Sequence, residues 1–267
     1  MDGAGNMRIL IIGGTKFIGP VVVKLLTSMG HHVTVFHRGE TNSELPSAAN
    51  RILGNKNNLK AFRDVFKSFA PDVVLDMIPS SEMDAQAVVD VFQGIARRIV
   101  SITSQDVYRA YGFVRGIETG PLEPTPITED SLLRTKLYPY REEARDENDS
   151  RYHYDKILVE RVVMNSYELA GTVLRLPAVY GPRDSQYRMY EYLKRMDDKR
   201  PFILLDESFA AWHWTHSYVE NVAHAIALAV SDERSAGRIY NVSSPQTCSM
   251  SELVAAIGDI SVGKGKS

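Results

Sequence analysis

Short, almost wholly apolar runs alternate with amphipathic stretches along the first two thirds of the chain. The runs Arg8–Ile12, His32–Phe36, Asp72–Met77, Arg98–Ser101 and Thr172–Leu176 have the length of strands. Between them, Pro20–Met29, Leu59–Phe69, Glu82–Gln93 and Tyr154–Leu169 carry apolar residues at helical spacing. Strand–helix alternation with near-continuous apolar strands predicts an α/β fold, a doubly wound parallel sheet with helices on both faces. After Pro177 the pattern loses regularity and gains Tyr and Trp, with one more helix expected at Val219–Val230 and one more strand at Arg238–Val242. The tail Ser261–Ser267 has no core-forming pattern.

The first strand ends in Gly13-Gly14-Thr15-Lys16-Phe17-Ile18-Gly19, and a helical pattern follows at once. Glycines let the backbone approach a pyrophosphate closely, and a helix N-terminus presents free N–H groups to it. The order strand, glycine turn, helix therefore predicts a dinucleotide site at Gly13, Gly14, Thr15, Lys16, Phe17, Ile18 and Gly19. An acid near the end of the second strand normally accepts the ribose 2′-OH of NAD. Here that stretch reads Val35-Phe36-His37-Arg38-Gly39, without one. Arg38 is placed to pair with a 2′-phosphate, and Lys16 adds a second positive charge, which favours NADP over NAD. If Arg38 is an exposed loop charge instead, either cofactor is accepted.

Composition narrows the class further. The 267 residues are 44% hydrophobic and 24% charged, with a net charge of −2, as in a globular protein without a field that favours nucleic acid or an anionic membrane. The single cysteine, Cys248, excludes an internal disulfide and reads as a small part-buried residue. No apolar stretch has membrane-spanning length and Met1–Asn6 is too short for a signal peptide, so a cytoplasmic protein is expected. No His/Asp/Glu grouping has metal-ligand spacing; His31-His32 reads as surface. Thr119–Pro126 is expected to be an extended loop and Arg141–Arg151 a solvated, mobile one.

Taken with their order, these segments resemble the extended short-chain dehydrogenase/reductase family of NAD(P)-dependent epimerases, dehydratases and reductases. The glycine turn is similar to the family's Gly-x-x-Gly-x-x-Gly, with Lys16 at the middle glycine. Ser101-Ile102-Thr103-Ser104-Gln105-Asp106-Val107-Tyr108 is similar to the segment bearing the catalytic serine, which falls on Ser104. Tyr152-His153-Tyr154-Asp155-Lys156 matches Tyr-x-x-x-Lys, and Leu174–Pro182, Tyr218–Ala223 and Tyr240–Val242 match later landmarks. More narrowly, the turn resembles that of an uncharacterised bacterial branch with Gly-Gly-Thr-(Lys/Arg)-Phe-(Ile/Leu)-Gly. Some relatives with that turn have lost the catalytic pair and bind RNA. The resemblance implies a Rossmann-like domain over residues 7–177 with strand 238–242. It also implies a smaller C-terminal substrate-binding region over 178–237 and 243–267, with further residues beyond this end.

The resemblance implies catalysis by Ser104, Tyr152 and Lys156. On a helix, residues four apart share a face, so Lys156 is expected to lower the pKa of the Tyr152 phenol, which then exchanges a proton with a substrate oxygen oriented by Ser104. A second Tyr-x-x-x-Lys, Tyr190/Lys194, lies in a polar segment and reads as a solvated helix face. Lys156 is also expected to reach the cofactor ribose, Asn55 to replace the aspartate usual near the adenine, and Pro177 to flank the cofactor. Asp106 falls where dehydratases carry a glutamate base, but Gln105 replaces their aspartic acid donor, which argues against sugar dehydration. Trp212, His213, Trp214 and His216 are expected to stack on a substrate or to build core. Trp214 and the segment around Ala178 lack the arginine and asparagine that usually hold a nucleotide sugar.

The expected function is NAD(P)-dependent oxidoreduction or epimerisation of a sugar-like or nucleotide-sugar-like small molecule by Tyr-assisted hydride transfer. The alternative is a catalytically silent NAD(P)-binding protein with an RNA-associated or regulatory role. Membrane and nucleic-acid partners are not expected, and a homodimer is compatible with the sequence.

Overall fold

The fold is built outward from β1 (Arg8–Ile12), whose Ile9–Ile12 are fully buried. The computed structural model describes residues 5–41, 44–121, 123–244 and 246–263. After β1 come α1 (Ile18–Ser28), β2 (His32–His37), β3 (Asn50–Leu53), α2 (Arg63–Phe69), β4 (Val73–Asp76), α3 (Glu82–Phe92), β5 (Arg98–Ser104) and α4 (Arg109–Val114). They are followed by α5 (Lys156–Met164), β6 (Ala170–Leu176), β7 (Ala178–Tyr180), α6 (Tyr190–Asp197), α7 (Glu207–Ala211), β8 (His216–Tyr218), α8 (Val219–Ser231), β9 (Arg238–Asn241) and α9 (Met250–Gly263).

Seven strands form one parallel sheet in the order β3-β2-β1-β4-β5-β6-β9. The order reverses between β1 and β4, so the loops after them part and leave a crevice. Parallel strands need crossovers, and the crossover helices cover both faces. On one face α1 and α8 pack Val22, Leu26, Val222 and Ile226 over Ile9, Ile11 and Leu174. On the other, α2, α3 and α5 pack over Leu10, Ile12 and Val74, and Phe66 joins Phe36 and Phe92 with ring centroids 5.3 and 4.9 Å apart. A smaller cluster joins α6, α7 and α9 through Tyr192, Met250, Val254 and Trp212, while β7 and β8 form a separate two-stranded sheet.

Several expectations are corrected. The helix at Val219–Val230, grouped above with the substrate region, packs against α1 and is part of the sheet's core, because its apolar face matches the α1 stripe. Leu59–Phe69 is split: a 3-10 segment over Lys56–Phe62 kinks at Asn58 before α2 starts. β3, only partly apolar, pairs at the sheet edge, where one neighbour suffices. Cys248 is exposed rather than part-buried. His31 is buried, accepting a hydrogen bond from the Met7 N–H, and burial lowers its pKa. Among the described residues, no helix is long and apolar enough to cross a membrane.

The correction nearest the site concerns α5. It begins at Lys156, not Tyr154, because the Asp155 carboxylate accepts from the Ile157 N–H (2.8 Å) and caps the helix there. Asp155 is fully buried, accepts also from the Tyr138 N–H (2.6 Å) and faces Arg134 (3.6 Å). One carboxylate thus fixes both the helix start and the incoming loop. Tyr152 lies outside the helix, its N–H closing a turn on the Asp149 carbonyl.

Candidate active site

Two clefts open at the C-terminal ends of the strands. The first, of about 780 Å³, lies at the β1/β4 crevice. Gly13–Ile18 after β1, His37–Thr41 after β2, Gly54–Asn57 after β3 and Met77–Asp84 after β4 all contribute to its lining.

The glycine turn is shaped by what its residues lack. Gly13 and Gly14 have φ of +89° and +80°, and Phe17 holds +48° as the residue before α1. A β-carbon on Gly19 would lie 2.4 Å from the Gly14 backbone, so only glycine permits α1 to start this close to β1. The result is an open helix N-terminus beneath a bare backbone turn, which fits a dinucleotide pyrophosphate. Thr15, Lys16, Phe17 and Ile18 line the same cleft. Lys56 lines it too, its ammonium held 3.2 Å from buried Asp76 and 3.0 Å from the Ile78 carbonyl. The sequence reading missed Lys56; its only signal was position, directly after Asn55. The Asn55 side chain accepts from the Asn57 N–H and caps the following turn while its residue lines the cleft.

Arg38 stands exposed on the rim, 2.8 Å from Glu40. Glu40 is thus an acid beside the expected ribose site, two residues further along than the position read from the sequence. The charged stretch after Tyr140 also reaches this cleft: Glu147–Ser150 and His153 form one wall, tied down by Asp149, which accepts from Arg151 at 2.7 Å. Those bonds hold the Asp149 carboxyl well below its ordinary pKa. This stretch is mostly exposed, as expected of a solvated loop, and carries its own ion pairs.

The second cleft, of about 860 Å³, lies beyond β5 and β6. Ser104, Asp106, Tyr108, Tyr111, Tyr140 and Tyr154 line one side; Trp212, His213 and Trp214 line another. Trp212 and Trp214 stack at 4.8 Å, and His216 meets Trp214 edge-on. Pro177, expected beside the cofactor, lines this cleft and not the first.

Ser104 Oγ accepts from the Asp106 N–H (3.1 Å) and caps the turn after β5. Asp106 is buried; its Oδ2 accepts from the Tyr154 hydroxyl at 2.8 Å and the Tyr140 hydroxyl at 3.5 Å, and Tyr140 contacts Tyr111 at 2.9 Å. Burial raises the Asp106 pKa against the opposing pull of Tyr154, Arg134 and Lys156. Burial, then the Asp106 charge, raises Tyr154 well above an ordinary phenol.

The expected triad is not assembled. Tyr152 lines neither cleft. Its hydroxyl donates to Glu147 at 3.3 Å, and its ring lies 4.8 Å from the Arg141 guanidinium. Lys156 points inward, donating to the Pro79 and Ile102 carbonyls, and burial lowers it to about 8. The ring near its ammonium is that of Tyr154, at 5.5 Å. Tyr154 was missed because the segment before Lys156 reads as helix, whereas it runs through turns to the Asp155 cap; Tyr140 and Tyr111 join it only through Asp106 in the folded chain. Tyr190 and Lys194 lie on α6, Tyr190 exposed and Lys194 paired with Asp198. No group of three or more His, Cys, Asp or Glu among the described residues is arranged to hold a metal ion.

Residues 9–243 match the model of the NAD dependent epimerase/dehydratase family. The 2′-dehydrokanamycin reductase of Streptomyces kanamyceticus is 26% identical over 93% of this chain and 65% of its own length. The chloroplast stem-loop binding protein of 41 kDa b of Arabidopsis thaliana is 22% identical over 96% of this chain and 64% of its own. The chain thus spans just under two thirds of the length of these relatives. Among solved structures, the Bordetella bronchiseptica enzyme WbmG in complex with NAD and UDP superposes with a TM-score of 0.72 at 18% identity, covering 97% of this chain and 79% of that one. At that identity the likeness is one of fold.

Proposed function

Since this chain belongs to the NAD dependent epimerase/dehydratase family, we propose that it transfers hydride between a nicotinamide dinucleotide in the first cleft and a carbonyl or hydroxyl carbon of a sugar-like substrate in the second. The observation that carries this reading is the Gly13–Gly14–Gly19 cradle, which a single β-carbon would fill. Gly13–Gly19 and Lys56 face the pyrophosphate, Asn55 lies toward the adenine, and Arg38 with Lys16 favours the 2′-phosphate of NADP, for which Glu40 competes. The bound nicotinamide supplies or accepts the hydride. Ser104 donates a hydrogen bond to the substrate oxygen and orients it. Lys156 holds positive charge beside the phenol that serves that oxygen.

Trp212 and Trp214 form the apolar platform for a sugar ring, with Arg188, paired with Asp184, on the same lining. The reductase relative supports a ketosugar, including one carried on an aminoglycoside. The test incubates the protein with NADPH deuterated on the nicotinamide ring and a panel of keto-aminoglycosides, simple ketosugars and nucleotide ketosugars, and reads deuterium in product by mass spectrometry. Label in at least one product is expected. Tight NADPH binding with no label in any product would favour the silent binding-protein alternative, and no NADPH or NADH binding would refute both.

A further inference from the structure

We propose that Tyr154, not Tyr152, presents the proton-donating hydroxyl to the substrate, and that Asp106 restores its proton. The inference rests on the hydride-transfer reading above. Tyr154 lines the second cleft together with Ser104, and both are bonded to one residue: Asp106 Oδ2 takes the Tyr154 hydroxyl at 2.8 Å and the Asp106 N–H donates to Ser104 Oγ at 3.1 Å. The serine and phenol that must meet one substrate oxygen are therefore held by the same turn. Lys156 lies beneath the Tyr154 ring, so the lysine–tyrosine pairing survives with a tyrosine two residues from the lysine instead of four. Between them stands only Asp155, extended at φ −159° and ψ 112°, which caps the helix that Lys156 begins.

Asp106 is built as a proton store. Its Oδ1 is buried without a hydrogen-bond partner and its Oδ2 faces two phenols. Tyr140 continues the line to Tyr111, which also borders the cleft. The charged groups around it are Arg134, whose Nε donates to the Asp106 carbonyl at 2.5 Å, Lys156, and Asp155, which is paired with Arg134. Burial outweighs these and raises the Asp106 pKa above the ordinary carboxyl value.

In carbonyl reduction a bound reduced nicotinamide would supply the hydride for the new C–H bond, and the carbonyl π pair would take the Tyr154 proton to become O–H. The phenolate left behind takes the Asp106 carboxyl proton, and the carboxylate is reprotonated from solvent through Tyr140 and Tyr111. Alcohol oxidation runs the same transfers backwards. Tyr154 is catalytic; Asp106 acts through it.

The test compares wild type, Y154F, Y152F and D106N in the deuterium-transfer assay, with NADPH affinity measured in parallel. Y154F should lose about a hundredfold or more in rate with NADPH affinity unchanged, as for a missing general acid. Y152F should lose less than tenfold, and D106N should move the alkaline limb of the pH–rate profile to lower pH. A hundredfold loss in Y152F with Y154F near wild type would overturn the proposal. If wild type transfers no label, the hydride-transfer reading fails by itself, and infrared titration of the carboxyl band removed by D106N decides the pair. A band persisting above the ordinary aspartate range and shifted by Y154F but not Y152F supports it. A band that titrates like a free aspartate, or is blind to Y154F, overturns it.

Discussion

The two clefts are made by opposite means. The first cleft depends on missing side chains: three glycines within seven residues let β1 and α1 meet, and the decisive distances run from backbone to backbone. The second cleft depends on side chains buried at a cost. Asp106, Arg134, Asp155, Glu160 and Arg175 are all buried, each tied to a partner distant in sequence. The first is a local property of one turn; the second exists only once β5, α5, β6 and the 134–155 segment have come together.

If this contrast is right, damage to the second cleft should appear first in stability. Arg175 donates to Glu160 (2.8 Å) and to the Tyr108 hydroxyl (2.7 Å). Arg175→Leu leaves the buried Glu160 carboxylate without its cation, only the Thr103 hydroxyl still donating to it, and should cost about 3–5 kcal/mol in denaturant unfolding. A loss under about 1 kcal/mol would mean that the network is dispensable.

Damage to the first cleft should appear in binding. Gly19→Ala forces the Gly14 backbone aside and should weaken nicotinamide dinucleotide binding at least about a hundredfold by calorimetry, some 2.7 kcal/mol. Unaltered affinity would break the cradle argument.

Lys156 sharpens the contrast through pH. Burial lowers it to about 8, whereas an unfolded lysine titrates near 10.4. Between those values the unfolded chain binds a proton that the folded chain has released, so stability rises with pH in that window and the burial penalty applies in full below it. Relative to Lys156→Met, wild type should gain on the order of 2 kcal/mol across it. A pH-independent difference would show that the ammonium is solvated.

The smallest effects belong to the exposed rim. Arg38→Ala should weaken NADPH about tenfold and leave NADH nearly unchanged, while Glu40→Gln should tighten NADPH a few-fold. Equal losses of both cofactors in Arg38→Ala would remove the basis for selecting NADP.

How far the sequence could be read follows the same division. Arg8–Ile12 and the glycine turn carry their structure in consecutive residues, and both could be read directly, as could the parallel sheet. Tyr152 and Lys156 seemed to share a helical turn because apolar spacing continues behind them. What that pattern could not show is that Asp155 would be buried against Arg134 and cap α5, which leaves Tyr152 outside the helix and turns Tyr154 inward. Lys56 and Tyr140 escaped for a related reason: each acquires its role from a partner across the fold, Asp76 and Asp106.

Residues 147–154 border both clefts, Glu147–Ser150 and His153 lining the first and Tyr154 the second. A ligand that shifts this segment on one side alters the space on the other. By thermodynamic linkage the effect is mutual: whatever factor the nucleotide contributes to substrate affinity, the substrate returns to the nucleotide. One short wall would thereby make each ligand an effector of the other.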